Sequence, residues 1–190
     1  RPPRSTLFPY TTLFRSLSNT PIDTALIVQF DVTIKGALNM TSGNDTLVLG
    51  GNWYNIGSFA AGQGTVIFNS KFGIKTIDNR FNTFYNLHIN TLSEIQIARN
   101  LTIDNNFVVI NGKFDLATDT RVLTVKGDFH NFGEFTTRNS KLILSGSSPT
   151  QNILPGNANI YNLEISTNNS TNVILNSELS IKHNLNIYSG

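Results

Sequence analysis

The chain has no cysteine, which excludes a disulfide framework, a thiolate nucleophile and a thiolate metal site. Charge is scarce, with Asp, Glu, Lys and Arg together making 14% of the residues, so long charged runs are absent. No apolar stretch approaches the roughly 18 residues that a membrane-spanning helix needs. Methionine and tryptophan occur once each. Histidine is limited to His88, His130 and His183, and no two of them stand at a metal-ligand spacing. Serine-nucleophile motifs and phosphate loops are also missing. Gly62-Gln-Gly64 lacks the third glycine and the following helix that a dinucleotide loop requires, so it reads as a turn.

The first sixteen residues, RPPRSTLFPYTTLFRS, stand apart from the rest. Back-translated codon by codon, they resemble one reading frame of a common short-read sequencing adapter. Adapter contamination of a metagenomic sequence is the expectation, and such a segment is set aside before fold is argued. Arg1, Arg4 and Arg15 leave with it. Lys plus Arg then falls from 14 to 11 against 12 acidic residues, and the net charge moves from +2 to −1. The apparent basic character therefore offers no argument for nucleic acid as a partner.

What is abundant is asparagine, with 26 residues, and short alternating runs of Ile, Leu, Val and Phe. Alternation over four to eight residues between turn clusters is the signature of half-buried strands. The chain also matches itself at a shift of 76 residues. Gly51–Phe59 lies over Gly127–Phe135, and Phe84–Ile89 over Ile160–Ile165. Eleven of the 41 positions from Gly51 to Thr91 are identical without a gap.

The kept positions alternate. Side chains on a strand point to opposite faces in turn, so the kept set faces a core and the varied set faces water. The expected core pairs by repeat are Trp53 with Phe129, Phe59 with Phe135, Val66 with Leu142, Phe68 with Leu144, Leu87 with Leu163 and Ile89 with Ile165. Leu101, Ile103, Leu123 and Val125 join them. Asn55, Gly57, Asn131 and Gly133 read as turn formers, the glycines serving a positive φ or a close backbone approach.

A shorter beat of roughly 19–25 residues runs inside each unit, as in one rung of a parallel β-helix. The predicted fold is all-β: a fragment of a right-handed parallel β-helix, or β-solenoid, of roughly seven to nine rungs. Its expected span is residues 17–190, with copies of the unit near 36–111 and 112–190, truncated at both ends. Antiparallel β-sandwich repeats are the alternative, supported by Asn111-Gly112, a strong hairpin signal.

The run Gly51–Phe59, then Gly62-Gln-Gly-Thr-Val-Ile-Phe68, then Phe84–Ile89, then Asn100–Ile103 resembles repeats of very long bacterial surface proteins. The resemblance implies adhesin-like, secreted β-solenoids of the type IX secretion kind, and hence an extracellular or cell-surface location. In the second copy Arg138–Leu144 replaces the glycine-rich run.

Asp115 and Asp119 flank a turn and form the one candidate for Ca²⁺, which seeks clustered oxygen ligands. Their counterparts one unit earlier are Asn39 and Gly43, so the pair is not repeated, and a solvated turn is the plainer reading. Asp104 and Asp128 show no grouping of the kind a polysaccharide-cleaving site needs. Each histidine reads as an outward strand residue, and Trp53 with Phe129 as part of a buried aromatic stack. The expected function is a structural or adhesive repeat segment without catalysis, cofactor or resident metal. Its expected partners are neighbouring repeats of the same chain and surface glycans or a host or neighbouring-cell surface, with no nucleic acid and no membrane insertion. A carbohydrate-binding or carbohydrate-cleaving β-helix is the alternative, marked by a groove that holds two carboxylates.

Overall fold

Alternating apolar residues three to five at a time make strands too short to stand alone, so each must borrow its hydrogen bonds from another turn of the chain. The computed structural model, which describes residues 12–14, 25–41, 44–117 and 120–189, shows how. After β1 (Thr12–Phe14), the chain winds through eight coils. Coil 1 holds β2 (Leu26–Val28), β3 (Val32–Ile34) and β4 (Ala37–Asn39); coil 2 holds β5 (Thr46–Leu49), β6 (Trp53–Asn55) and β7 (Ser58–Ala60). Coil 3 holds β8 (Thr65–Phe68) and β9 (Lys75–Asp78), with Phe84 as an isolated bridge to Ile103. Coil 4 holds β10 (Asn86–Ile97) and β11 (Leu101–Ile103), and coil 5 holds β12 (Phe107–Asp115) and β13 (Val122–Val125). Coil 6 holds β14 (Phe129–Asn131), β15 (Glu134–Thr136) and β16 (Lys141–Leu144). Coil 7 holds β17 (Thr150–Leu154) and β18 (Asn157–Ser166), and coil 8 holds β19 (Asn172–Leu175) and β20 (Ile181–Ser189).

Every ladder between described strands is parallel, and each joins a strand to its counterpart in the next coil. The protein is a parallel β-solenoid, which replaces the antiparallel alternative. Three faces result. Face I carries β2, β5, β8, the first half of β10, the first half of β12, β14, β17 and β19. Face II carries β3, β6, β9, the second halves of β10 and β12, β15 and the start of β18. Face III carries β4 and β7, then β11, β13, β16, the rest of β18 and β20. The coil length varies from 19 residues (Leu47 to Val66) to 24 (Phe129 to Ile153). No helix occurs among the described residues.

Inward residues of the three faces meet in one core. Trp53 touches Phe59 and Phe84 edge-on, at centroid distances of 4.9 and 5.2 Å. Phe107 stacks on Phe129, and Phe114 on Phe135, in the next coil. Val66, Phe68, Leu87, Ile89, Leu101, Ile103, Leu123, Val125, Leu142, Leu144 and Leu163 are buried with them. Ile165 is only half-buried, because it packs toward the last coil, where its ladder partner Ile187 is itself exposed.

The 76-residue unit meets this geometry in an unexpected way. From β5 to β13 the chain passes eleven strand positions, which at three per coil is three and two-thirds turns. Each residue of the second copy therefore lies on a different face from its counterpart. Leu47 is on face I and Leu123 on face III; Trp53 is on face II and Phe129 on face I; Phe59 is on face III and Phe135 on face II. The inter-coil hydrogen bonds rotate with them. The Thr76 amide donates to Asn52 Oδ1 at 2.9 Å, and the Asn152 amide to Asp128 Oδ1 at 2.7 Å. Asn55 Nδ2 donates to Asn79 Oδ1, and its counterpart Asn131 Nδ2 donates to the Pro155 carbonyl.

Three places fill in the detail. Gly57 and Gly133 serve close approach rather than positive φ: a Cβ on Gly57 would lie 2.0 Å from the Gly36 carbonyl oxygen of the coil below, and one on Gly133 would lie 2.5 Å from that of Gly112. Asn111-Gly112 makes no hairpin; it turns a corner within β12, with Gly112 at φ +79°. Finally, residues 12–14 do not stay outside the repeat. β1 pairs in register with β3, Thr12 against Val32 and Phe14 against Ile34. The outer edge of the first coil presents free backbone donors and acceptors, and any extended segment can pair there whatever its side chains.

Candidate functional site

The densest group of charges among the described residues sits on face II, spread over three coils. Glu94 comes from coil 4, Lys113 and Asp115 from coil 5 and Arg138 from coil 6. Arg138 donates to both oxygens of Asp115, with Nη2 at 2.7 Å from Oδ2 and Nε at 2.9 Å from Oδ1. Lys113 Nζ lies 3.0 Å from Asp115 Oδ2 and 2.9 Å from Glu94 Oε2. The Ala117 amide donates to Asp115 Oδ1 at 2.8 Å. Ala117 and Arg138 both adopt positive φ, 66° and 50°, an uncommon state for residues with a Cβ.

The Asp115 side chain is fully buried. Burial pushes its carboxyl up, but the hydrogen bonds from Arg138, Lys113 and the Ala117 amide, with the Lys113 charge, outweigh this and hold it below the usual carboxylate range. Desolvation pulls the Lys113 ammonium down, and the hydrogen bonds to Glu94 and Asp115 with their charges more than restore it. Asp115 is thus kept ionised and Lys113 protonated. Near neutral pH neither is poised to exchange a proton, and the group acts as an electrostatic clamp across coils.

Asp115 thus spends both oxygens on cationic donors and is covered by them, so a Ca²⁺ ion would have to displace Arg138 and Lys113. Asp119 lies outside the described residues. Among those residues no three His, Asp or Glu side chains gather as a metal-binding group. Asp104 and Asp128 lie in the corner between faces III and I, in adjoining coils, where Asp104 is held by Lys126 and Thr83 and Asp128 by the Asn152 amide. His88 and His130 are half-buried on face I, and burial lowers the His88 imidazole below its ordinary value. His183 is exposed and stacks on Tyr161 at 4.6 Å.

A second feature escaped the sequence reading. The corner between faces I and II carries large apolar residues that point outward. Phe30 in coil 1 and Phe72 in coil 3 are 53% and 81% exposed, with Gly50 of coil 2 between them. They bound a notch of about 520 Å³. Leu92 in coil 4 and Phe132 in coil 6 flank Gly112 of coil 5 in the same manner. A signal was present: Phe30 and Phe72 sit in the turn sequences Gln-Phe-Asp and Lys-Phe-Gly, out of phase with the buried alternation.

The class defined by this architecture is the parallel β-solenoid, with eight coils and three faces among the described residues. Beyond the class, comparison with protein-family models, with curated proteins and with solved structures finds no match for the chain.

Proposed function

We propose that this chain is a structural and adhesive repeat segment of a long secreted or cell-surface bacterial protein, whose work is reach and display. The observation that supports this most is the rotation of the repeat. Duplication by three and two-thirds turns keeps inward side chains inward and keeps coil-to-coil hydrogen bonds such as those of the Thr76 and Asn152 amides, while it sends outward residues to a different face. Tyr54 points out from face II, and its counterpart His130 points out from face I. A ligand array copied with the unit would be scattered around the axis. What the two copies hold in common is the rod.

The test is the complete open reading frame recovered from the source DNA. The expected result is a signal peptide, further copies of the 76-residue unit and a C-terminal secretion-sorting domain. A fused catalytic domain, or a frame that encodes one isolated solenoid without a signal peptide, would overturn the reading. The same DNA settles whether Arg1–Ser16 belongs to the gene: as an adapter remnant, it is replaced there by an unrelated sequence.

A further inference from the structure

We propose that the notch between Phe30 and Phe72 is a binding subsite for an acidic polysaccharide, whose uronate rings rest on the two phenyl groups and whose carboxylates pair with Lys71 and Lys75. The proposal deepens the adhesive half of the reading above by naming a ligand class, and its test does not depend on how long the parent protein is.

Three observations carry it. The first is exposure: an outward phenylalanine hydrates poorly, and two of them facing one notch form a paired apolar surface. Parallel coils repeat at ~4.8 Å, so residues two coils apart stand roughly 10 Å apart along the rod, the span of a disaccharide in an extended chain. The C–H face of a pyranose ring complements the negative face of an aromatic ring.

The second is the floor. Gly50 lies between the rings and lines the notch. A Cβ there would lie 2.4 Å from the Gln29 carbonyl oxygen, so the coil admits no larger residue at this place. Asn69 adds an amide for the hydroxyl groups of a sugar.

The third is charge. Lys71 and Lys75 line the notch and no carboxylate does, and neither lysine forms an ion pair with a described residue. Three of the five lysines outside the notch are spent on partners: Lys113 on Glu94, Lys126 on Asp104 and Lys141 on Glu164. The notch at Leu92 and Phe132 makes the contrast, because Glu94 and Glu134 stand beside its one lysine. That notch would repel an acidic chain and serves as an internal control.

The experiment is calorimetric titration of the whole chain with an oligogalacturonate, and separately with cellohexaose as a neutral probe, at low and high salt. The expected result is binding of the oligogalacturonate that weakens with salt. The Phe72→Ala variant and the double variant Lys71→Ala/Lys75→Ala should each lose about tenfold in affinity, while Phe132→Ala stays within about twofold. All four positions are on the surface, so circular dichroism should report an unchanged fold. No binding of the acidic oligomer, equal binding of cellohexaose undisturbed by the lysine changes, or an equal loss in Phe132→Ala would each overturn the proposal.

Discussion

Asp115 is a single carboxylate fixed by neighbours from its own and an adjacent coil. Its charge is buried, and it is stable there only because Arg138 and Lys113 supply donors for both oxygens. Asp115→Asn keeps the shape and removes the charge, leaving the guanidinium and the ammonium without their common partner. A charge-assisted hydrogen bond lost from a buried site costs about 2 kcal/mol, and the melting temperature should fall accordingly. The pH dependence follows from linkage. The folded carboxyl titrates below the usual value of about 3.9, so between the two values the unfolded chain binds a proton that the folded chain does not. The stabilisation is complete above about pH 4 and is lost as the pH falls through the folded value. Thermal melts of the wild type and of Asp115→Asn should therefore converge on acidification. A gap that stays constant, or widens, would mean that the carboxylate is not what Arg138 and Lys113 stabilise.

At the scale of the strand and its corner, glycine sets how closely coils stack. Gly57 lies over Gly36, and a methyl group there would meet backbone atoms of the coil below at 2.0 and 2.9 Å. Backbone cannot swing aside as a side chain can, so Gly57→Ala should cost about 1–3 kcal/mol by overpacking. Gly73 is the comparison: its φ of +68° is strained for alanine, but the nearest atom to a Cβ is the flexible Lys75 Nζ at 3.8 Å. Gly73→Ala should be the milder change, and melts of the two variants side by side decide it. These corners also show what was legible in the residues. Strand alternation was enough to mark Val66, Leu142, Leu87 and Leu163 as inward, since inward or outward is a local property of a pleated chain. Which face each strand occupies was not legible, because it depends on coil lengths that drift between 19 and 24 residues. For the same reason nothing local marks Glu94, Lys113, Asp115 and Arg138 as neighbours, with separations of 19 and 23 residues across the coils. The exposed phenylalanines were missed on physical grounds as well. Phe30 and Phe129 carry the same side chain, and only the phase of the surrounding turn separates an outward ring from a buried one.

For the whole molecule, the rotation of the repeat is a statement about the core. A unit of three and two-thirds turns returns in register only if the three faces can exchange inward residues. They do: Trp53 on face II is replaced by Phe129 on face I, and both rings are fully buried. The core is thus close to threefold in its demands, and stability resides mainly in contacts between neighbouring coils, as in other linear repeat proteins. That view can be tested by lengthening the chain. A second copy of residues 51–126 spliced between Lys126 and Gly127 moves every later strand to a new face while keeping each neighbour of the same kind. The extended chain should fold, keep its β-sheet circular dichroism and melt no lower than the parent. Eleven more strand positions are three and two-thirds more coils, so small-angle scattering should show a rod longer by roughly 18 Å at ~4.8 Å per coil. A parallel insertion of residues 51–116 stops ten residues short of the repeat and omits β13, so the residues after the splice meet no counterpart of their kind and the stacking downstream should be disrupted. If the longer insert fails to fold, or if it folds without lengthening the rod, the faces are not interchangeable and the repeat has lost its meaning as a unit of the solenoid.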